Sequence, residues 1–327
     1  MRYCNIPGTD LKAAVLCMGG VPLIDETQLE KSFHLLDCYR ELGGNFLDTA
    51  NIYGKWLPAA TNSSEIVIGK WLKDRGCRDR LILATKGGHP DLAAMHLPRL
   101  SRKDVAADLH ESLKALQTDY IDLYWLHRDD EKTPVAVMLE YLNGFVASGK
   151  IRFFGCSNWK PRRIREAVAY ARTNKIGGFV GNQVMWNLAV INDNAYDDPT
   201  MVTMDEDGLE LHRETGLAVL AYSSQANGFF NKLALCGRAG LSREIRRIYD
   251  NTENLQRFAR IESLSRELDK SITEIVLGYL LGQPFTTIPV VGCHTVAQLQ
   301  DTMKAGDMVL PEKSLAYLEF GPDGHRK

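Results

Sequence analysis

Four side chains able to move a proton close short apolar runs: Asp48 and Tyr53 in NFLDTANIYG (45–54), Lys86 at the end of LILATK (81–86), and His127 at the end of IDLYWLH (121–127). An ammonium held against a phenol favours the phenolate, and a carboxylate beside the lysine keeps it charged and oriented. A phenol tuned in this way can protonate an oxygen near neutral pH, and such general acid catalysis typically contributes ~10²–10⁴ in rate. Asp48 and Tyr53, with Gly54 directly after, fit one loop that presents both to one reacting group. The chemistry therefore needs a frame that carries distant segments to a common mouth.

The rest of the chain predicts such a frame. Eight β-rich apolar runs recur, near 14–20, 45–50, 81–86, 121–127, 151–157, 179–186, 217–224 and 286–292, with helical patterns between most of them. Thr27–Glu30, Ser101–Asp104 and Ser271–Glu274 have the spacing of capping boxes, and Gly43-Gly44 suits a left-handed helix end. Val105, Leu109, Leu113 and Leu116 give one helix an apolar face. Strand and helix alternating eight times predict an α/β fold of the (β/α)₈ barrel type, as one domain over 1–327. No G-x-G-x-x-G follows any strand, so the usual dinucleotide-fold signature is missing. The stretches 187–214 and 223–258 read as long loops at the C-terminal face, where a barrel builds its site.

Composition narrows the partners. Lys+Arg number 39 against 41 Asp+Glu, with no run of one sign, which argues against nucleic acid and acidic membrane surfaces. The 7 cysteines are scattered, without a C-x-x-C pair, as in a reducing cytosol. Neither a signal-peptide core nor a run of about eighteen apolar residues occurs, so a cytoplasmic protein is expected. A metal-dependent hydrolase built on His89, His127, Asp129 and Asp130 lacks a second ligand pair on another strand, and no metal is expected.

With these segments in hand, the sequence resembles the aldo-keto reductase superfamily along almost its whole length. LDTANIYG, LATKGG and DLYWLHRDD match the segments that carry the family's tetrad, which implies Asp48, Tyr53, Lys86 and His127 as catalytic residues. The resemblance implies hydride transfer between NAD(P)H and a carbonyl, with Tyr53 donating the proton, Lys86 and Asp48 tuning it, and His127 orienting the oxygen. GCSNW and NQVMW imply Ser157, Asn158 and Gln183 as carboxamide ligands. AYSSQANGF implies Tyr222 against the nicotinamide and Ser223, Ser224, Gln225 and Gly228 along the pyrophosphate, where the family usually has Pro and Leu in place of Ser224 and Gln225. VVGCHTVAQLQDT implies Gly292, His294, Gln298, Asp301 and Thr302 at the adenosine end, and Thr295–Gln298 reads as a capping box there. Gly20, Val21 and Asp48 complete the implied cofactor set.

Many members have Lys or Arg near His294 and Glu-Asn where this chain has Asp301-Thr302. A neutral imidazole grips a 2′-phosphate less firmly than a guanidinium, so NADP is the family default with NAD or dual use left open. Tyr53, Trp56 and His127 are the expected substrate contacts. Trp159, Trp186 and Asn187 are further candidates facing the site, and Trp125 is expected in the core. The substrate class is a small carbonyl compound, aryl aldehyde or sugar. A slow, cofactor-binding regulatory subunit on the same barrel is the alternative, which the intact tetrad disfavours.

Overall fold

A computed structural model describes residues 1–322. The chain opens with an antiparallel hairpin, β1 (Tyr3–Asn5) and β2 (Lys12–Ala14). Eight parallel strands follow: β3 (Cys17–Gly19), β4 (Phe46–Asp48), β5 (Ile82–Gly87), β6 (Ile121–Leu126), β7 (Ile151–Ser157), β8 (Gly181–Met185), β9 (Ala218–Tyr222) and β10 (Thr287–Val291). They close into a barrel in sequence order, with β10 pairing both β9 and β3. The expected (β/α)₈ barrel is thus observed, strand for strand; the hairpin in front of it was not anticipated.

Helices cover the outside. Between successive strands run α1 (Leu29–Glu41), α2 (Ser63–Arg75), α3 (Arg102–Leu116), α4 (Val135–Ala147), α5 (Pro161–Asn174) and α6 (Glu206–Thr215). After β9 come α7 (Phe229–Cys236), α8 (Arg243–Tyr249), α9 (Thr252–Leu268) and α10 (Ile272–Leu281); α11 (Val296–Lys304) and α12 (Glu312–Phe320) follow β10. The stretch 223–258 is therefore largely helical, not a loop, and α6 takes the end of 187–214. Strand alternation sorts the core into two layers. Phe46, Ile82, Leu123, Trp125, Leu220 and Ile288 fill the barrel, and Ile6 and Leu11 of the hairpin segment plug its base. A larger layer, including Val105 and Leu109 of α3, packs between sheet and helices.

The helix starts show how local competition decides a cap. Ser271 and Glu274 form the complete reciprocal box. Ser101 caps the Asp104 amide, but the Asp104 carboxylate accepts the Ser101 hydroxyl instead of its amide. Thr27 caps nothing: Asp25 takes both its amide (2.9 Å) and its hydroxyl (2.6 Å), and α1 starts from Gln28 without a side-chain cap. An Asx turn two residues upstream thus outcompetes the predicted box. Gly43, at φ +89°, ends α1 as expected.

Candidate active site

Asp48, Lys86 and His127 share strand parity with the barrel-filling residues and emerge at its C-terminal mouth, where the loop after β4 brings Tyr53. Lys86 Nζ donates to Asp48 Oδ2 at 2.6 Å, to the Thr49 carbonyl at 2.8 Å and to the Tyr53 hydroxyl at 3.2 Å, so all three ammonium hydrogens have acceptors. Asp48 Oδ1 accepts from Trp125 Nε1 (3.1 Å) and Gln183 Nε2 (3.0 Å). The Lys86 and Asp48 side chains are only 1% and 2% exposed. Burial alone would favour neutral lysine; the Asp48 carboxylate and the Tyr53 oxygen outweigh it and hold the ammonium above its ordinary pKa. A buried pair is tolerable only with its remaining hydrogen bonds satisfied, and here they are.

His127 lies beside Tyr53, ring centroids 5.9 Å apart. Burial, then the charges of Arg128, His89 and Lys86, push its pKa well below the usual histidine range, so the imidazole is neutral. Its Nδ1 is buried without a hydrogen-bond partner. His89 stands 4.8 Å from His127 and is likewise neutral, pushed down to about 4 by burial and Arg128.

Two cavities meet at this constellation. A groove of about 740 Å³ runs from Asp48, Tyr53, Gln183 and Tyr222 across the β9 loop to the start of α11. Among its walls are the expected Gly20, Val21, Ser223, Ser224, Gln225, Gly228, Gly292, His294, Gln298, Asp301 and Thr302. A cavity of about 240 Å³ is lined by Tyr53, Trp56, His127, Ser157, Asn158, Gln183 and Tyr222, with Ile52, His89, Leu92, Arg128 and Met201. Tyr53, Gln183 and Tyr222 line both. Ser157 and Asn158 sit in the smaller cavity's wall beside that junction, not in the groove; Asn158 Oδ1 accepts from the Tyr222 hydroxyl at 2.6 Å and the Val202 amide at 3.1 Å.

The groove's floor is an unusual piece of backbone. Ser223, Ala226, Asn227 and Gly228 all have positive φ, strained for the three that are not glycine and typical of concave anion-binding loops. Ser224 Oγ donates to the Val290 carbonyl at 2.7 Å, and Gln225 Nε2 to Thr302 Oγ1 at 3.4 Å, so the two departures from the family pattern tie this loop to β10 and α11. At α11, Thr295 caps the Gln298 amide, but Gln298 Oε1 accepts from the His294 amide, one residue earlier than the predicted box.

Several sequence expectations need correction. Trp159, Trp186 and Asn187 line neither cavity. Asn158 has φ +59°, which breaks the strand alternation and turns Trp159 outward onto Phe179. Trp186 is out of phase with Gln183 and stacks on Phe285, while Asn187 Oδ1 accepts from the Ala189 amide. Trp125, expected only as core, also bonds Asp48. Asp129 pairs with Arg163 and Asp130 accepts from Thr133, so they do not converge with His89 and His127. Sequence reasoning missed Asn231, Lys232 and Thr273 in the groove and Leu92, Arg128 and Met201 in the cavity, and took His89, also in the cavity wall, only as a metal-ligand candidate. Lys232 was the most legible of these, a cation one helical turn past the Asn227-Gly228 turn.

Among the described residues, no three or more His, Cys, Asp or Glu are grouped to hold a metal, and no helix is long and apolar enough to cross a membrane.

Comparison with known proteins agrees with this geometry. The Aldo/keto reductase family model matches residues 15–320. An uncharacterized oxidoreductase of Bacillus subtilis, YrpG, is 32% identical over 99% of this chain and 98% of its own. The aryl-alcohol dehydrogenase [NADP(+)] of Phanerodontia chrysosporium is 26% identical over 95% of this chain and 83% of its own. The crystal structure of a thermostable aldo-keto reductase, Tm1743, in complex with the inhibitor epalrestat, superimposes with a TM-score of 0.72 at 24% identity, covering 98% of this chain and 99% of that one, and shares the fold. A barrel of this order, matched over nearly its whole length, makes the chain a member of the aldo/keto reductase family and an NAD(P)-dependent oxidoreductase.

Proposed function

We propose that the protein reduces an aryl aldehyde or ketone to the alcohol with NADPH, Tyr53 acting as proton donor. The observation that carries this reading is the junction: a nucleotide-sized groove and a small cavity share Tyr53, Gln183 and Tyr222, with the Lys86–Asp48 pair directly behind the phenol. At about 740 Å³ the groove lies within the ~300–1,000 Å³ typical of ligand pockets. Its residues suit a dinucleotide. Tyr222 offers a ring face, Ser157, Asn158 and Gln183 offer amide partners, and the positive-φ loop offers amides to phosphates. Lys232 adds an ammonium that donates to the Asn227 carbonyl at 2.9 Å. Lys232 and His294 together favour a 2′-phosphate. Both chain ends contribute, Gly19–Pro22 and Gly292–Thr302, which supports one catalytic domain across the chain.

A nicotinamide held by Ser157, Asn158, Gln183 and Tyr222 would supply a hydride for the carbonyl carbon. The chain's own residues manage the oxygen. His127 carries one ring hydrogen; with no acceptor at buried Nδ1, the hydrogen belongs on Nε2, from which it can donate to the carbonyl oxygen. Tyr53 transfers its proton to that oxygen as the C=O π pair becomes an O–H bond. The Lys86 ammonium stabilises the phenolate left behind, and Asp48 keeps the ammonium in place. Half-exposed Trp56 and Leu92, together with Ile52, Met201 and Tyr222, make the cavity walls aromatic and aliphatic, which suits an aryl group better than a sugar.

The test is a fluorescence titration with NADPH and NADH on the protein and on Tyr222→Ala, followed by turnover of benzaldehyde and of an aldose. Tight NADPH binding, weakened in the variant, with turnover of the aryl aldehyde is expected. Failure to bind either nucleotide, or turnover of the aldose alone, overturns the proposal.

A further inference from the structure

A third cavity, of about 270 Å³, adjoins the substrate cavity. The only residues common to the two walls are Ile52 and His89. Where the substrate cavity is largely apolar, this one is lined by Asn51, Lys55, Asp91, Arg99, Asp108 and Glu111, with Lys86, already paired with Asp48, in the same wall. Its charges are mostly matched. Lys55 pairs with Glu111 at 2.8 Å and Arg99 with Asp108 at 2.8 Å, which leaves Asp91 as the charge without an ion pair among the described residues.

His89 is a fixed partition. Arg99 Nη1 donates to its carbonyl at 3.0 Å, and the preceding Gly88 amide donates to Asp108 at 2.8 Å, so the backbone is held from both sides. Its Nδ1 lies 2.7 Å from the Pro90 carbonyl. A carbonyl oxygen can only accept, so Nδ1 carries the ring hydrogen and Nε2 is a bare acceptor. Among the described residues no donor takes that acceptor, and Nε2 keeps an accessible face.

We propose that His89 and the polar cavity behind it form a subsite for a hydroxyl on the far side of the substrate's aromatic ring, so that ring-hydroxylated aryl aldehydes are the preferred substrate class. The hydroxyl donates to His89 Nε2 and lies on the side of the paired charges, where Asn51 is already engaged with Glu111 and Lys55. A ring carboxylate is disfavoured, because Lys55 and Arg99 are already paired and Asp91 repels it. This rests on the aryl-carbonyl reading above and refines it.

The experiment compares kcat and KM for benzaldehyde, para- and meta-hydroxybenzaldehyde and para-carboxybenzaldehyde, with NADPH, in the natural protein and in His89→Leu, His89→Gln and Asp91→Asn. The natural protein is expected to favour a hydroxylated ring over benzaldehyde by about tenfold in kcat/KM, mainly through KM. His89→Leu should abolish this ratio, and any effect of the lost packing on His127 cancels because both aldehydes share it. His89→Gln, which keeps an acceptor, should restore part of it. Asp91→Asn, at an exposed position, should raise the carboxylated substrate relative to benzaldehyde by about threefold or more. A natural protein without preference, or a His89→Leu variant that keeps it, overturns the subsite while leaving the aryl-carbonyl reading intact. If NADPH binds but no aldehyde in the series turns over, both fall together.

Discussion

Thr85 and Lys86 are neighbours on β5, and they reach two buried carboxylates on opposite faces of the sheet. Outward, Thr85 Oγ1 donates to Glu65 at 2.5 Å, and Asn62 Nδ2 donates at 2.7 Å; no cation among the described residues joins them. Burial pushes the Glu65 carboxyl up to about 7, against the pull of the Thr85, Ser112 and Asn62 hydrogen bonds. Inward, Asp48 is equally buried but faces the Lys86 ammonium. Equal burial therefore gives one carboxyl that leans towards neutrality and one held in an ion pair. Only the inner one has a partner whose remaining hydrogen reaches a phenol in a cavity. Depth alone does not mark a functional acid; the onward contact does.

The largest test of this contrast is Tyr53→Phe, which keeps the ring and removes the proton. It should lower kcat by about 10²–10⁴ while NADPH titrates as before. Unchanged turnover would move proton donation elsewhere. Next, Lys86→Met leaves Asp48 buried without its ammonium and should cost about 3–5 kcal/mol in urea unfolding, together with activity. Adding Asp48→Asn should return much of the stability and none of the rate.

On the outer face the effect is smaller and lies in pH. The unfolded Glu65 carboxyl, at 4.5, releases its proton before the folded one, at about 7, so stability is lost as pH rises through that window. The loss is at most about 3 kcal/mol. Thermal melts of Glu65→Gln at pH 5 and pH 8 should therefore differ less than those of the natural protein, with kcat at saturating substrate within about twofold. A variant that flattens no slope would show that Glu65 ionises freely in the fold. The smallest effect is expected of Trp56→Ala, whose ring lies 6.1 Å from Tyr53 and is 46% exposed. It should raise KM for an aryl aldehyde about threefold to tenfold, through lost apolar contact.

The barrel was legible because its strands are short apolar runs of regular spacing, and alternation then places Asp48, Lys86 and His127 on one side. What stayed hidden depends on events that alternation does not encode. The left-handed turn at Asn158 reverses the direction of Trp159, and Asp25 takes the hydroxyl that would have let Thr27 cap α1. In sequence Glu65 is an ordinary acid for a helix's first turn, since nothing local tells that α2 begins against the sheet. His89 was noticed only as a metal-ligand candidate, because its value lies in the cavity on its far side.

The closure of β10 on β3 also bears on how the protein is made. The groove draws its walls from Gly19–Pro22 and from Gly292–Thr302, so its first residues leave the ribosome long before their partners are translated. On the proposed assignment of this groove to the nucleotide, a nascent chain has no nucleotide site until its last strand is in place, and nucleotide would not assist the earlier stages of folding. Once the ring is shut, a nucleotide bound across the seam would stabilise the finished barrel by mass action. Occupancy of the groove would thereby distinguish completed molecules from truncated ones.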